Sequence, residues 1–337
     1  MKIVADDKIP YIREALARIT PDVVYKRGSA IAAADVRDAD ALIVRTRTRC
    51  DERLLGGSSV RFVATATIGF DHIDTGFMAR AGIEWTNCPG CNASSVGQYV
   101  RSALLLLARD CGLRLPGATL GVVGCGHVGR EVCAVGRGLG MSVLVCDPPL
   151  GLPGFVGMGE IERRADVITF HVPLTDGGGC PTRHLADAAF FGRLARRPFV
   201  INTSRGPVVD NRALKEALAA GRVRQAVIDT WENEPLIDTS LLRMVYIGTP
   251  HIAGYSADGK ANADNMVIEA LCRFFGLENP GRIVPPPLPA GFRYDGDPLQ
   301  LYNPLDDSAR LKARPADFEE LRGNYPLRRE VFDSAGN

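Results

Sequence analysis

Three ionisable residues in the second half of the chain are suited to acid–base chemistry. Arg205 lies in INTSRGPVVD, Glu234 in DTWENEP and His251 in GTPHIAGY, and each follows an apolar, β-branched run that predicts a strand. A guanidinium can hold a carboxylate, an acid can tune an imidazole, and an imidazole can move a proton. Together they would suit hydride exchange with a 2-hydroxy acid. Taken singly, Arg205 and Glu234 could form a structural ion pair, and His251 could be a hydrogen-bonded core histidine.

A glycine-rich turn with the spacing G-x-G-x-x-G lies upstream of these residues. It follows an apolar run at 119–123 and opens a predicted helix, through Gly124, Cys125, Gly126, His127, Val128 and Gly129. Gly124 permits the tight turn, Gly126 lets backbone N–H groups approach a pyrophosphate, and Gly129 allows the helix to pack closely on the strand. Because a strand precedes it and a helix follows it, the spacing predicts a dinucleotide site rather than a simple glycine turn.

An acidic residue, Asp147, ends the next predicted strand, SVLVC, 18 residues after Gly129. Its carboxylate can accept hydrogen bonds from ribose hydroxyls, and its negative charge would oppose a 2′-phosphate. No arginine follows immediately in DPPLG to reverse that preference. We therefore predict NAD rather than NADP as the cofactor.

Polar residues follow the later strands, where ligands bind in parallel α/β sheets. The runs at 165–172, 198–202 and 224–229 predict strands, and the candidate cofactor contacts beyond the first two are His171, Pro173, Thr175, Thr203 and Ser204. For His171, a histidine hydrogen-bonded inside a loop is an equally good interpretation. His171 is therefore not the predicted proton carrier.

Short apolar runs alternate with amphipathic stretches along the chain, which is typical of parallel sheets with crossover helices. Runs at 2–5, 41–45, 60–65 and 83–86 predict a first α/β unit, and a broadly apolar helix over 94–110 leads to a second. We expect an α/β protein with a Rossmann-type doubly wound parallel sheet and a smaller flavodoxin-like α/β domain. The predicted domains are 1–93 with 256–278 for substrate, 94–255 for NAD, and 279–337 as a C-terminal extension.

The composition limits the classes of partner. Lys and Arg total 40 against 39 Asp and Glu, a formal net charge of +1, so nothing in the charge balance favours nucleic acid or an anionic membrane. The start, MKIVADDKIP, lacks the pattern of a signal peptide, and the strongest apolar run, 103–108, is too short to span a bilayer. We expect a soluble, cytoplasmic protein that acts on a small molecule.

Nine cysteines are scattered through the sequence, and the odd count leaves one unpaired in any disulfide scheme. We interpret them as reduced thiols. Cys88 and Cys91 form a C-x-x-C pair, which could be redox active or half of a zinc site. Because no second close-spaced Cys or His pair completes a zinc site, we predict no metal and favour a Pro-Gly turn that leads into the long helix.

Six ordered motifs resemble the D-isomer-specific 2-hydroxy acid dehydrogenases over nearly all of residues 1–275. They are ATATIGFDHID, VVGCGHVGREV with its following aspartate, HVPLT, INTSRGPVVD, DTWENEP and TPHIAGYS. The resemblance implies that Arg205 binds the substrate carboxylate and polarises the C2 oxygen. It implies that His251 takes the C2 hydroxyl proton and that Glu234 holds the other ring nitrogen.

Shorter matches resemble the family members that oxidise 4-phosphoerythronate in vitamin B6 synthesis. These matches are KIPY near the start, VRTRT at 44–48, PGCNA at 89–93, CDPP at 146–149 and the tyrosine after HIAG. They imply oxidation of 4-phospho-D-erythronate to 3-hydroxy-2-oxo-4-phosphooxybutanoate. Two alternatives stay open: another D-2-hydroxy acid, such as glyoxylate, hydroxypyruvate or 3-phosphoglycerate, and a NAD-sensing module of the corepressor kind.

The resemblance also implies individual ligand contacts. Asp229 is expected at the nicotinamide carboxamide and Gly254 beside the cofactor, whereas the implied substrate contacts are Thr46, Thr67 and Tyr255. A phosphorylated substrate requires a second cationic or hydroxyl-rich site. The basic run RTRTR at 45–49 could provide it, or could be an ordinary exposed turn.

The chain changes character beyond about residue 278. Residues 279–305 are rich in Pro and Gly and show neither helical nor strand periodicity, which predicts an extended linker or arm. The segment ADFEELRGNYPLRRE then predicts a short charged helix and tail. The resemblance implies a homodimer, with a dimerisation region here that is shortened in this chain.

Overall fold

The structure, a computed structural model, describes residues 1–330 of the 337-residue chain. The described chain divides into two compact units. The first consists of Met1–Asn92 and Ser256–Ala290, and the second of Ala93–Tyr255 and the chain from Gly291 onward. Each unit is a parallel β-sheet with α-helices between its strands, so the predicted α/β class is confirmed.

The first unit is built on a five-stranded parallel sheet. Its strands are β1 (Ile3–Asp6), β2 (Val23–Lys26), β3 (Ala41–Val44), β4 (Phe62–Thr65) and β5 (Glu84–Thr86). Their order, β2-β1-β3-β4-β5, is the flavodoxin-type order. Every residue of β1, β3 and β4 is buried, as expected when helices cover both faces of a parallel sheet. The sequence pattern does not predict β2, a partly exposed edge strand with a very short apolar run.

The second unit is built on a six-stranded parallel sheet. Its strands are β6 (Thr119–Val123), β7 (Ser142–Cys146), β8 (Val167–Phe170), β9 (Phe199–Asn202), β10 (Gln225–Ile228) and β11 (Ile247–Gly248). The order is β11-β10-β9-β8-β6-β7, so the direction of winding reverses between β6 and β8. Ligands of doubly wound sheets bind at the carboxyl ends of the strands beside such a reversal. This arrangement places the predicted glycine-rich turn, which follows β6, at the reversal.

Helices connect and cover the strands throughout the described residues. In chain order they are α1 (Ile12–Ile19), α2 (Ala33–Val36), α3 (Glu52–Leu55), α4 (Thr75–Ala81), α5 (Ala93–Cys111), α6 (His127–Gly138), α7 (Met158–Arg164), α8 (Ala188–Arg193), α9 (Asn211–Ala219), α10 (Thr239–Met244), α11 (Ala257–Phe275), α12 (Pro298–Leu301), α13 (Pro304–Ala313) and α14 (Phe318–Gly323). Many begin at an aspartate whose side chain accepts a first-turn N–H, as at Asp74, Asp187 and Asp210. Within residues 1–330, no helix is both long enough and apolar enough to cross a membrane.

The chain from Gly291 onward is more regular than its sequence pattern predicts. The prediction of an irregular arm over 279–305 is wrong at its end, where α12 and the start of α13 are helical. Each helix begins at a capping side chain followed by proline, Asp297 with Pro298 and Asn303 with Pro304. The cap accepts a first-turn N–H, and proline fits the first helical position. These signals are short and lie within a Pro- and Gly-rich stretch, which is why the pattern obscures them.

This C-terminal segment contributes to the core of the second unit. The Ser102 hydroxyl on α5 donates to the carbonyl oxygen of Tyr302 at 2.9 Å. Leu311 on α13 and Phe318 on α14 have no exposed surface and pack in the same core cluster as the sheet. Lys312 donates from Nζ to the carbonyl oxygen of Val245, at 2.7 Å, beside β11. The segment is therefore held by both apolar contacts and hydrogen bonds.

All nine cysteines are free thiols, and most are buried. The Cys88 thiol donates to the carbonyl oxygens of Thr65, at 3.4 Å, and Ala263, at 3.3 Å. Burial raises the pKa of Cys88, which disfavours the reactive thiolate. Cys91 is buried as well. Cys88 therefore acts as a packed, hydrogen-bonded group.

Phe318→Ala should lower the free energy of unfolding of the second unit by about 3–5 kcal/mol, because the ring has no exposed surface. Val284→Ala is the control, because Val284 is 70% exposed and lies in the first unit. Urea denaturation, followed by circular dichroism, measures both. A loss below about 1 kcal/mol for Phe318→Ala would show that α14 is not part of this core.

Candidate active site

The Glu234 carboxylate and the His251 imidazole form a hydrogen-bonded pair in the second unit. Nδ1 of His251 lies 2.8 Å from Oε2 of Glu234, and Oε1 accepts the N–H of Trp231 at 2.9 Å. Burial raises the pKa of Glu234, but its hydrogen bonds and the neighbouring positive charge outweigh burial and hold that pKa below its ordinary value. The ionised carboxylate can accept from Nδ1–H, which leaves Nε2 of the neutral ring as the proton acceptor.

The Asp229 carboxylate anchors the loop that carries His251. Oδ1 accepts the Thr249 hydroxyl at 2.6 Å and the N–H of Ile252 at 2.8 Å, and Oδ2 accepts the N–H of Ala253 at 3.0 Å. The backbone carbonyl of Asp229 accepts the N–H of His251 at 2.8 Å. His251 has a φ of +58°, in the left-handed region that side chains rarely occupy. The hydrogen bonds on both sides of it stabilise this conformation.

The predicted contact of Asp229 with the nicotinamide carboxamide stays a prediction. The structure shows a carboxylate that is 1% exposed and has both oxygens bonded to its own chain. Burial raises the pKa of Asp229, against the opposing effects of His251 and of those hydrogen bonds. Holding the loop that carries His251 is a role that no local sequence pattern indicates.

The loop that carries Arg205 packs against the loop that carries Glu234. A Cβ atom on Gly206 would lie 1.8 Å from the carbonyl oxygen of Trp231, so only glycine allows this approach. Asn202 closes the Arg205 turn by donating from Nδ2 to the Arg205 carbonyl at 3.1 Å. The Arg205 side chain is exposed. Its guanidinium is therefore accessible to a ligand.

The three candidate catalytic residues share one edge of the sheet. Arg205 follows β9, Glu234 follows β10 and His251 follows β11, and these strands are adjacent and parallel. Their carboxyl ends therefore lie side by side. Glu234 and His251 are in direct contact, and Arg205 is joined to them through the packing of its loop.

The glycine-rich turn has the geometry of a pyrophosphate site. Gly124 has a φ of +92°, and a Cβ there would lie 2.6 Å from the carbonyl oxygen of His171. A Cβ on Gly129 would lie 2.0 Å from the carbonyl oxygen of Gly124, so both positions require glycine. Gly126 differs, because a Cβ there would meet no described atom within 4 Å. The exposed start of α6, at Gly126 and His127, is thus open to an anion, with the half-buried Val128 behind it.

Asp147 lies beside this turn at the carboxyl end of β7. Oδ2 accepts the N–H of Cys125 at 2.7 Å, and Oδ1 accepts the N–H of Leu150 at 3.2 Å. The carboxylate is therefore fixed next to the glycine-rich turn while remaining partly exposed. A negative charge at this position fits ribose hydroxyls and disfavours a 2′-phosphate.

The candidate cofactor contacts after β8 and β9 are linked through the His171 ring. Nε2 lies 2.8 Å from the Thr169 hydroxyl and Nδ1 lies 3.4 Å from the Thr203 hydroxyl. Burial lowers the pKa of His171 to about 3, so the ring is neutral at physiological pH. The Ser204 hydroxyl donates to Oδ1 of Asn202 at 2.9 Å. The loop after β8 also contains the exposed Pro173 and the half-buried Thr175.

The candidate substrate residues Thr46 and Thr67 belong to the first unit. Thr46 is exposed in the turn after β3, where its neighbour Arg45 is paired through Nε with the buried Asp6 at 3.3 Å. Thr67 donates to the carbonyl oxygen of Gly69 at 2.9 Å. Both threonines therefore follow the carboxyl ends of neighbouring strands, and their contact with substrate stays a prediction.

Two arginines from the C-terminal segment lie at the loops that carry Glu234 and His251, and sequence reasoning missed them. Nη1 of Arg322 lies 3.9 Å from Oε2 of Glu234. Arg328 is 8% exposed and donates to the carbonyl oxygens of Ile252, Ala253 and Tyr255 at 3.0, 2.6 and 2.8 Å. The segment FEELRGNYPLRRE predicts only a charged helix and tail, because nothing in its pattern marks an arginine that turns inward.

Comparisons with known proteins identify the family. Residues 97–253 match the model of the D-isomer specific 2-hydroxyacid dehydrogenase, NAD binding domain. An erythronate-4-phosphate dehydrogenase of Bacteroides fragilis is 52% identical, over 98% of this chain and 97% of the relative. The chain belongs to the D-isomer-specific 2-hydroxyacid dehydrogenases. An erythronate-4-phosphate dehydrogenase of Azotobacter vinelandii is 44% identical over 98% of this chain and 93% of the relative.

Solved structures show the same fold. The TT0316 protein of Thermus thermophilus is 27% identical, with a TM-score of 0.68, and the match covers 84% of this chain and all of that one. An NAD-bound 3-phosphoglycerate dehydrogenase of Entamoeba histolytica is 24% identical, with a TM-score of 0.69, over 86% and 99% of the two chains. The prediction of NAD is confirmed, since the glycine-rich turn lies inside the matched NAD-binding domain of this dehydrogenase family.

Gly126→Ala should weaken NAD binding by more than about tenfold, because the new methyl group enters the space open to the pyrophosphate. It should leave the melting temperature within about 2 °C of the wild type, since the methyl meets nothing among residues 1–330. Gly129→Ala should instead destabilise the protein through its clash with Gly124. Fluorescence titration with NAD and thermal denaturation distinguish the two. Wild-type NAD affinity in Gly126→Ala would remove this turn from the pyrophosphate site.

Proposed function

We propose that this dehydrogenase oxidises 4-phospho-D-erythronate to 3-hydroxy-2-oxo-4-phosphooxybutanoate with NAD as the hydride acceptor. The observation that carries the proposal is the 2.8 Å hydrogen bond between Glu234 and His251 beside the Arg205 loop. This pair supplies an oriented base for a hydroxyl group next to a carboxylate. The substrate assignment draws on the full-length similarity to relatives named erythronate-4-phosphate dehydrogenase.

The reaction removes a proton from the C2 hydroxyl oxygen of the substrate and a hydride from C2 itself. Arg205 binds the C1 carboxylate through paired hydrogen bonds and holds C2 in place. Nε2 of His251 accepts the C2 hydroxyl proton while the C2–O bond becomes a carbonyl. NAD held at the glycine-rich turn and Asp147 would supply the hydride acceptor, nicotinamide C4. Glu234 stabilises the imidazolium that results, and the proton then leaves to solvent.

The phosphate end of the substrate distinguishes it from unphosphorylated 2-hydroxy acids. Thr46 and Thr67 provide hydroxyl groups at the ends of β3 and β4 in the first unit, and the basic run beginning at Arg45 provides positive charge. Tyr255, which follows the His251 loop in the second unit, is a further proposed substrate contact. Cationic and hydroxyl donors are the groups that recognise a phosphate monoester.

A cytoplasmic location and a homodimeric assembly are parts of the same proposal. The free state of all nine cysteines supports a reducing compartment. The near-neutral charge balance supports a small-molecule partner over nucleic acid or a membrane surface. Size-exclusion chromatography with light scattering would measure the assembly.

The wild-type protein with NAD should turn over 4-phosphoerythronate with a kcat/KM at least about 100-fold above those for the alternative substrates. The alternatives are D-glycerate, glycolate and 3-phosphoglycerate. The first two are the hydroxy acids that correspond to hydroxypyruvate and glyoxylate. NADH absorbance measures the rates. A higher kcat/KM for one of the alternatives would contradict the substrate, and no turnover of any of them would favour a binding module.

His251→Ala should lower kcat by about 10²–10⁴-fold, because the proton has no oriented acceptor. NAD affinity should be nearly unchanged, since the glycine-rich turn is untouched. Stopped-flow kinetics and NAD titration measure the two effects. A variant that keeps more than about a tenth of the wild-type kcat would show that His251 is not the base.

A further inference from the structure

The C-terminal segment reaches the loop after His251 through the buried Arg328. Arg328 donates through its guanidinium to Oε1 of Gln98 at 2.9 Å, to the Ser95 hydroxyl at 3.2 Å, and to the carbonyls of the loop after His251. Its guanidinium also lies 3.9 Å from the centre of the Tyr302 ring. These contacts fix the position of the segment relative to His251, and with it the position of α14.

Arg322, on α14, is thereby placed beside the catalytic acid. Nη1 lies 3.9 Å from Oε2 of Glu234, the same oxygen that is 2.8 Å from Nδ1 of His251. The Arg322 side chain is 27% exposed, and its Nε atom is buried with no hydrogen-bond partner among residues 1–330. Burying a donor without an acceptor costs free energy. The arrangement is therefore better explained by the position of the charge than by a contribution to stability.

The charged groups around His251 show what the positive charge of Arg322 changes. Two carboxylates favour the protonated imidazole: Glu234 through its direct hydrogen bond, and Asp229 through its charge from the end of β10. Trp231 contributes only a backbone N–H, to Glu234. From α14, Arg322 offsets the negative charge; it interacts with the Tyr255 side chain and lies 3.9 Å from Glu319 on its outer side. Arg205 and Arg328 carry further positive charges at this edge, and Arg328 interacts electrostatically with Asp229.

Oxidation of a hydroxy acid requires the neutral imidazole, because only that form can accept the hydroxyl proton. Two nearby carboxylates without a compensating cation would keep the ring protonated to higher pH. A fixed positive charge 3.9 Å from Oε2 of Glu234 reduces this effect. Because Trp231 also holds the carboxylate, removal of the cation should change the charge around the ring more than the geometry of the pair.

We propose that Arg322 is a positioning residue for proton transfer, which acts through Glu234 and lets His251 release its proton at a lower pH than the two carboxylates alone would allow. The proposal rests on the proposed function for its catalytic consequence. Its physical content, the effect of Arg322 on the titration of His251, does not depend on the identity of the substrate.

The test compares Arg322→Gln, which removes the charge, with Arg322→Lys, which keeps it. Arg322→Leu serves if the glutamine variant does not fold, because it also removes the charge. Arg314→Gln is the control, since Arg314 lies on the same segment, is 58% exposed and pairs with Asp317 at 3.3 Å. Each full-length protein is saturated with NAD and labelled at its histidines, and NMR follows the His251 ring from pH 5 to 9. The His251→Asn protein identifies the signal by its loss.

Arg322→Gln should move the titration midpoint of His251 upward by about half a pH unit or more. Arg322→Lys should restore the midpoint to near the wild-type value, and Arg314→Gln should not change it. In the pH profile of kcat/KM for 4-phosphoerythronate, the acid limb should move upward by the same amount. An unchanged or lower midpoint in both uncharged variants would overturn the proposal. Absence of turnover by the wild type would instead overturn the proposed function, because the titration needs no substrate.

Discussion

The hydrogen bond between Glu234 and His251 is the interaction on which the catalytic side of this molecule depends. It orients the imidazole and supports one tautomer, and in the proposed mechanism it places an ionised acid beside the proton that the ring accepts. Several structural features serve to hold these two side chains 2.8 Å apart. They are the Trp231 N–H on the other carboxylate oxygen, the buried Asp229 under the histidine loop, and the left-handed backbone of His251 itself.

The parallel sheet of the second unit brings the residues that make these contacts together. Strands β9, β10 and β11 end side by side, so residues that are far apart in the sequence leave the sheet at one edge. The reversal of strand order beside β6 places the glycine-rich turn at the same kind of edge. Within the second unit, the fold thus supplies both an anion site at the start of α6 and an oriented base after β11.

The sequence allows prediction of the parts that depend on local chemistry. The glycine spacing, Asp147 and the strand-end positions of Arg205 and His251 follow from steric demands and periodicity that short segments express. Contacts between distant segments have no such signal. The inward turn of Arg328, the three hydrogen bonds to the Asp229 side chain and the burial of α14 depend on which surfaces meet after folding. Helices α12 and α13 were obscured because their capping signals occupy few residues.

A double-mutant cycle on kcat tests most directly whether Glu234 acts through His251. The proteins compared are the wild type, Glu234→Gln, His251→Asn and the double variant. We predict that Glu234→Gln lowers kcat in the wild-type background but has no further effect once His251 is replaced, because the carboxylate then has no imidazole to orient. Independent, multiplicative losses in the double variant would contradict the account, since Glu234 would then act on the reaction by another route.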